Sequence, residues 1–166
     1  MGSVELAIWF HDIVYNPRAK AGQNEKDSAA LFLSEFASLS RHSIYATDII
    51  GMFRHVEQMI LATIDHKVVA EPNTREYKNT QAFLDIDLAI LGQDRDTYNK
   101  YAADIRQEYS FVPAEAFATG RIAVLETLLA RPSIYLTSYF HGKYESKAKE
   151  NMKTEIANLK MRFLKK

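Results

Sequence analysis

The four prolines of this 166-residue chain lie between segments whose apolar residues repeat with helical spacing, or in the first turn of such a segment. Proline breaks a helix interior because it lacks a backbone donor and its ring clashes with the preceding turn. Its placement therefore indicates where helices begin and end. No segment shows the alternation of a half-buried strand, and no internal repeat is evident. The sequence predicts an all-α fold.

Seven helical segments follow from the periodicity and from the residues that flank it. Asn24 to Asp27 are typical of a cap with an acidic first turn, and Gly92 is typical of a C-terminal cap. Asp94 caps the next helix, and Pro113 occupies the first turn of the one after it. The predicted segments are Val4–Tyr15, 24–39, Thr47–Ile64, 81–91, 94–109, 113–130 and a last helix from about Tyr144. For Val4–Tyr15 periodicity alone also allows a buried strand, and its length favours the helix.

Length and composition limit the class of protein. The chain is 47% hydrophobic and long enough for one substantial core, so we expect a single domain over residues 1–166. Lysine plus arginine and aspartate plus glutamate number 21 each, so no global field attracts nucleic acid or anionic membranes. Without cysteine, any metal site must use nitrogen and oxygen ligands. With no signal peptide or membrane-spanning run evident, we expect a soluble, cytoplasmic protein.

Histidine and carboxylate residues recur in apolar surroundings. His11 and Asp12 lie within AIWFHDIVY, His66 ends ILATIDH, and Asp85 and Asp87 lie within QAFLDIDLAIL. A buried carboxylate without a partner is costly, so these groups need partners. A divalent cation would satisfy them, since imidazole nitrogen and carboxylate oxygen suit Mn, Fe, Co, Ni, Zn or Mg. The alternative is a core histidine paired with a carboxylate from another helix.

Six runs spread over nearly the whole chain favour the metal interpretation when they are taken in order. They are LAIWFHDIVYNPRA, NEKDSAA, ILATIDH, FLDIDLAILG, YAADIRQEY and GRIAVLETLLARPSIY. This ordered set resembles the predicted metal-dependent phosphohydrolases of the HD-domain superfamily. The resemblance implies an HD-type helical bundle, a divalent metal held by an HD dyad and a distal aspartate, and hydrolysis of a phosphate ester, often of a nucleotide.

The resemblance assigns the metal ligands residue by residue. His11 and Asp12 match the dyad, and the distal aspartate falls on Asp85 or Asp87. Asp87, which Leu88 follows, is the more similar of the two. Side chains two apart on a helix face away from each other, so we expect one of them to reach the ion. The superfamily pattern also has a histidine upstream of the dyad, and the ten residues before His11 contain none. We therefore expect an N-terminally short domain that lacks this first ligand.

The chemistry of such a site suggests roles for residues near the ion. Asp12 is the candidate to orient a metal-activated water. Glu25 is the candidate general base, because its helix must turn back towards the dyad after a short loop. Helix capping explains Glu25 as well. We expect His66 to contact a phosphate or a carboxylate behind the ligands, unless it is only a solvated histidine at a helix end.

Arg106 and Arg121 are the candidate phosphate-binding residues, because a guanidinium group matches phosphate oxygens in a bidentate manner. Each has a structural alternative. Arg106 has Glu108 two residues away, and Arg121 lies within reach of Glu115 or Glu126 on the same helix. For Arg121 we favour the internal ion pair slightly.

Three functions are compatible with these features. The leading hypothesis is a metal-dependent phosphohydrolase acting on a small phosphate ester, and the alternative is a catalytically silent HD-like fold that binds a nucleotide or a protein partner. From His141 onward there are eight Lys/Arg against three Glu. This basic end allows nucleic-acid binding, but no nucleic-acid-binding motif accompanies it, so we favour that function least. The apolar run LAIWF predicts an exposed face and a homodimer that covers it.

Overall fold

The computed structural model describes the backbone of residues 2–40 and 46–163, and their side chains except those of 37–40 and 46. All regular structure in this part of the chain is helical, so the all-α prediction is confirmed. None of the described helices is both long and apolar enough to cross a membrane. The helices are α1 (Ser3–Phe10), α2 (Gln23–Ser40), α3 (Ala46–Ala62), α4 (Arg75–Asp87), α5 (Arg95–Glu108), α6 (Ala114–Leu129) and α7 (Ser138–Phe163), with a 3-10 turn at Leu88–Gly92.

The described residues form two compact units, one that ends at Asp87 and one that begins at Leu88. Each unit has its own hydrophobic core. The first core is built by α1 to α4 and contains Leu6, Ala7, Ala29, Phe32, Phe53, Val56, Met59, Ile60, Ala62, Phe83 and Leu84. The second contains Leu91, Tyr98, Ile122, Leu125, Ile134, Tyr135, Ala148, Met152 and Ile156. The single domain expected over residues 1–166 stays a prediction.

Phenylalanine rings fill the centre of the first unit. Phe32 lies edge-on to Phe10 at 5.2 Å and to Phe53 at 5.6 Å between ring centroids, and Phe36 lies 4.9 Å from Phe32. Such pairs add about 0.5–1.5 kcal/mol each to the gain from area burial. They fix the end of α1 against α2 and α3, and this end carries His11.

The outer face of α1 is exposed. Trp9 is 71% exposed and Ile8 is also accessible, as is Ile13 in the loop after the helix. An apolar face was expected here from the run LAIWF. The homodimer inferred from it stays a prediction.

Helix α1 ends at Phe10, five residues before the predicted end at Tyr15. His11 still donates its backbone N–H to Ala7, at 2.9 Å. Beyond it, the N–H of Val14 donates to the Ser28 hydroxyl at 3.1 Å instead of continuing the helix. The predicted end of α1 was wrong. The apolar pattern continues through Ile13 and Val14, but the hydroxyl of Ser28 on α2 accepts the Val14 N–H that a longer helix would have used.

Two helices begin earlier than the sequence predicted, because a threonine precedes each of them. The Thr74 hydroxyl accepts from the N–H of Tyr77 at 3.1 Å, and α4 begins at Arg75 rather than near Gln81. Thr137 accepts from Phe140 at 3.4 Å, and α7 begins at Ser138 rather than near Tyr144. In both places a cap satisfies a first-turn donor.

The 3-10 turn of the second unit is held by side chains of later residues. Asn151 of α7 donates from its amide nitrogen to the carbonyls of Leu91 at 3.0 Å and Gln93 at 2.9 Å. The Tyr135 hydroxyl donates to the Leu88 carbonyl at 3.0 Å. These bonds satisfy carbonyls that a short 3-10 turn leaves open.

Candidate functional site

Four side chains of the first unit meet where α1 and α4 end, and we call them the His11–Asp87 cluster. Its members are His11 and Asp12, which directly follow α1, His66 in the loop after α3, and Asp87, the last residue of α4. His11 Nε2 lies 3.3 Å from Asp87 Oδ1 and 3.3 Å from Asp12 Oδ2. His66 Nε2 lies 3.0 Å from Asp87 Oδ2. Asp87 therefore joins the two imidazoles, one on each carboxylate oxygen.

The cluster is shielded from solvent on one side only. The side chains of His11, His66 and Asp87 are 19%, 18% and 20% exposed, whereas Asp12 is 64% exposed. The His11 ring lies edge-on to Phe83, with the ring centroids 5.7 Å apart. Asp12 is thus the member most accessible to water or to a ligand.

Charge pairing within the cluster shifts the pKa values of two members in opposite directions. The hydrogen bond to Asp87 raises the pKa of His11 to about 9, with a further contribution from the Asp12 charge, although burial opposes it. For Asp87, burial is the largest influence and raises the pKa. The hydrogen bonds from His11 and His66 together outweigh it and lower the pKa of Asp87 to about 2. At neutral pH the metal-free pair therefore exists as imidazolium and carboxylate.

The ring of His11 has a defined orientation. Its Nδ1 lies 3.0 Å from the Ile8 carbonyl oxygen, which only accepts, so Nδ1 carries the hydrogen. Nε2 is then the nitrogen that faces Asp12 and Asp87. A neutral ring would direct its lone pair at two carboxylates, which is unfavourable. Either a proton or a metal cation at Nε2 removes that conflict.

His66 has an unusual backbone conformation, with φ at +53°. A non-glycine residue in this left-handed region costs about 1–2 kcal/mol, although histidine is found there more often than most residues. The contact between His66 and Asp87 offsets part of that cost. His66 was predicted to contact a phosphate or a carboxylate, and it lies against Asp87, which is itself a predicted ligand.

The donor types of the cluster fit a divalent ion. Two imidazoles and two carboxylates supply the nitrogen and oxygen donors that such an ion takes. The donors nevertheless contact one another directly through Asp87. In the described part of the chain, no three such side chains already surround a common point where an ion would sit.

Two other predicted site residues lie in the first unit. Glu25 is partly buried in the first turn of α2, next to Asn24, which is hydrogen-bonded to the loop that follows the dyad. Asp85 lies two residues before Asp87 on α4, and its side chain is 1% exposed. The catalytic role of Glu25 and the ligand role of Asp85 stay predictions.

The two candidate arginines lie in the second unit, and each makes internal contacts. Arg106 donates to the carbonyls of Tyr109 at 2.6 Å and Val112 at 3.1 Å, and lies over the Phe117 ring. Arg121 forms a bidentate ion pair with Glu155, with Nε–Oε1 at 2.9 Å and Nη2–Oε2 at 3.2 Å. An internal ion pair was the favoured alternative for Arg121, but its partner comes from α7 rather than from α6. Phosphate binding by either arginine stays a prediction.

Comparison of the chain with protein-family models, with curated proteins and with solved structures gives no match. The resemblance to the HD-domain superfamily stays a prediction that rests on the six sequence runs. What the His11–Asp87 cluster can do follows from its own chemistry.

Proposed function

We propose that this protein is a metal-dependent phosphohydrolase that acts on a small phosphate ester, such as a nucleotide, at the His11–Asp87 cluster. The observation that carries the proposal is the orientation of His11. Its Nδ1–H donates to the Ile8 carbonyl while Nε2 faces Asp12 and Asp87. Histidines that bind metals commonly hold their second ring nitrogen in this way, because it fixes the lone pair on the nitrogen that faces the ion.

His11, Asp12 and Asp87 are the proposed ligands of a divalent ion. The ten residues before His11 contain no histidine. His66 supplies the second imidazole instead, and its Nε2 already faces Asp87. Asp85 is the second choice for the distal carboxylate. The nitrogen and oxygen donors suit Mn, Fe, Co, Ni, Zn and Mg to different degrees, so the proposal does not depend on one metal.

A bound divalent ion lowers the pKa of a coordinated water towards neutrality and polarises a phosphoryl oxygen. The chain supplies the groups that position the reactants. Asp12, the most exposed member, orients the attacking water, while Asp87 and His66 keep the buried side of the cluster in place. Glu25 is proposed as the general base. Phosphate binding by Arg106 and Arg121, which belong to the second unit, stays a prediction.

A second candidate is a catalytically silent fold that binds a nucleotide or a protein partner. The observation in its favour is that both oxygens of Asp87 already have imidazole partners. With its pKa near 9, His11 holds a proton at neutral pH that a metal ion must displace. His11 and Asp87 therefore already form an ion pair without a metal ion.

Calorimetric titration with Mn²⁺ or Zn²⁺ at neutral pH distinguishes the two candidates. Repeating it in buffers of different ionisation enthalpy counts the protons released, and we expect about one per ion, from His11. Asp87→Asn is expected to abolish binding. Asp65→Asn is the matched control, since this exposed aspartate lies beside His66 and pairs with Lys67.

Phosphate-ester hydrolysis is then measured with the metal that binds. Activity that disappears in Asp87→Asn and persists in Asp65→Asn would support the phosphohydrolase. Absence of metal binding, or binding that is unchanged in Asp87→Asn, would refute it and leave the silent fold.

A further inference from the structure

The loop that follows His11 and Asp12 is tied to α2 by two side chains. The Val14 N–H donates to the Ser28 hydroxyl at 3.1 Å, and that hydroxyl lies 3.3 Å from the Val14 carbonyl, to which it donates. The Asn16 N–H donates to Asn24 Oδ1 at 3.0 Å, and Asn24 Nδ2 donates to the Asn16 carbonyl at 3.2 Å. Both backbone groups of two loop residues are thus bonded to α2.

The spacing of these four residues explains why the arrangement fits. Ser28 and Asn24 are four residues apart on α2, so their side chains lie on the same face, about 5–6 Å apart. Val14 and Asn16 are two residues apart in the loop, and two residues of an open chain cover about 6–7 Å. One helical turn therefore matches two residues of the loop. Side chains of α2 therefore supply the hydrogen bonds that a neighbouring strand would supply in a sheet.

Side-chain packing supports this loop only in part. Asp12 is 64% exposed, and the side chains of Ile13 and Tyr15 are 49% and 47% exposed, so packing of side chains gives it limited support. Ser28, in contrast, is fully buried. A buried hydroxyl that pairs with both groups of one residue defines a backbone position closely, because either group left unpaired would cost free energy.

We propose that Ser28 and Asn24 are positioning residues for the His11–Asp12 dyad. They hold the backbone immediately after the dyad, and so keep Nε2 of His11 directed at Asp87 and at the carboxylate of Asp12. The consequence for metal binding and hydrolysis rests on the proposed function. The positioning of the dyad itself does not depend on the proposed function.

The test uses the full chain and compares Ser28→Ala with Ser34→Ala. Ser34 is on the same helix and its hydroxyl donates to the Leu31 carbonyl within the helix, so it is a matched control. In the metal-free protein, Ser28→Ala is expected to raise the amide exchange rate of Val14 about tenfold and to shift the imidazole ¹⁵N resonances of His11. Mn²⁺ affinity is expected to fall about tenfold, as for loss of an outer partner of a ligand.

Asn24 provides a graded second test that does not alter the buried site. Asn24→Asp keeps the acceptor for the Asn16 N–H but loses the donor to its carbonyl, whereas Asn24→Ala loses both. The shift of the His11 resonances is expected to be smaller in Asn24→Asp than in Asn24→Ala. Recovery of the His11 signature by the conservative variant would distinguish positioning from a general loss of stability.

The inference is overturned if amide exchange accelerates in Ser28→Ala and Asn24→Ala while the His11 resonances stay at their wild-type positions. The side chains would then support the loop without orienting the dyad. If the wild-type protein binds no Mn²⁺, the proposed function fails, and the metal-free resonances still decide whether Ser28 and Asn24 position His11.

Discussion

The His11 imidazole lies against the Asp87 carboxylate, with Nε2 3.3 Å from Oδ1, although the two residues follow the first helix and end the last helix of the first unit. This contact therefore joins the two ends of the unit's sequence. It also places His11, Asp12 and Asp87, which the sequence indicated as metal ligands, in one cluster with His66. The same interaction determines how the unit's stability should vary with pH.

Asp87→Asn is expected to remove most of the pH dependence of unfolding between about pH 6.5 and pH 9. The pKa of His11 is raised from 6.5 to about 9, so its stabilising contribution is present in full below 6.5 and is lost as the pH rises through 9. The pKa of Asp87 is lowered from 3.8 to about 2, so its contribution is lost only as the pH falls through 2. Urea unfolding of both proteins at about pH 6 and pH 9.5 measures the difference.

Asp87→Asn is expected to lower the free energy of unfolding by about 1–3 kcal/mol at pH 6. The pKa shifts of His11 and Asp87 express one interaction and are counted once, and the exposure of both side chains reduces the effect. Asp65→Asn, in an exposed pair with Lys67, serves as the control and should change stability by less than about 1 kcal/mol. An equal pH dependence in wild type and Asp87→Asn would contradict the assignment of the His11 pKa to Asp87.

His55→Leu is expected to stabilise the first unit by about 1 kcal/mol. The His55 side chain on α3 is buried, and no group of the described chain lies within hydrogen-bonding distance of either ring nitrogen. Burial lowers its pKa below 6.5, while Glu76 on α4 opposes this and Arg75 reinforces it. Protonation therefore favours the unfolded chain, so stability should fall as the pH drops below 6.5. Thermal unfolding at neutral and acid pH should show that the leucine variant loses less stability; the exposed His141→Gln is the control.

Gly92→Ala is expected to destabilise the second unit by about 1–3 kcal/mol. An added Cβ would lie 2.5 Å from Tyr144 Cβ and 2.9 Å from the Tyr144 carbonyl oxygen, both too close. A Cβ added at Gly120, in α6, would meet no described atom within 4 Å apart from its chain neighbours and the backbone of its own helix. Gly120→Ala should therefore be neutral or stabilising by up to about 1 kcal/mol, because alanine favours a helix. Chemical denaturation of the pair tests this, and equal effects would rule out the close approach.

Arg121→Met is expected to destabilise the second unit by about 3–5 kcal/mol, because it leaves Glu155 as a buried charge without its cation. The double variant Arg121→Met with Glu155→Gln should recover a large part of this loss. Glutamine keeps an acceptor for the Tyr98 hydroxyl, which donates to Glu155. A double-mutant cycle by denaturant unfolding measures the coupling. Additive effects would show that the pair contributes no interaction of its own.

Local signals predicted some helices of this chain well. Helix α5 extends over Arg95–Glu108, close to the predicted 94–109, because Asp94 accepts from the Thr97 N–H as a helix cap. The end of α1 was predicted five residues late, since the hydroxyl that takes the Val14 N–H belongs to Ser28 on another helix. A cap close in sequence is visible in a pattern, whereas a partner fourteen residues away is not.

At the candidate site, too, the residues could be predicted from the sequence, whereas the contacts between them could not. His11, Asp12, His66 and Asp87 were identified as residue types in unusual apolar surroundings, but their pairing depends on how α1, α3 and α4 pack. The partner of Arg121 was sought within α6, where spacing makes candidates visible, and it lies on α7. Asn24 and Ser28 carry no signal beyond that of a helix start, because their roles arise from a loop that lies against them.

The bonds from Asn151 to the Leu91 and Gln93 carbonyls imply an order of events during synthesis. These acceptors leave the ribosome about sixty residues before their donor, so the 3-10 turn has its carbonyls open to water until α7 has been made. Residues up to Asp87 need no such late partner for the His11–Asp87 contact. Completion of the second unit must therefore wait until Asn151 has been synthesised, and a nascent chain stopped before Asn151 would leave the Leu91 and Gln93 carbonyls without these two hydrogen bonds.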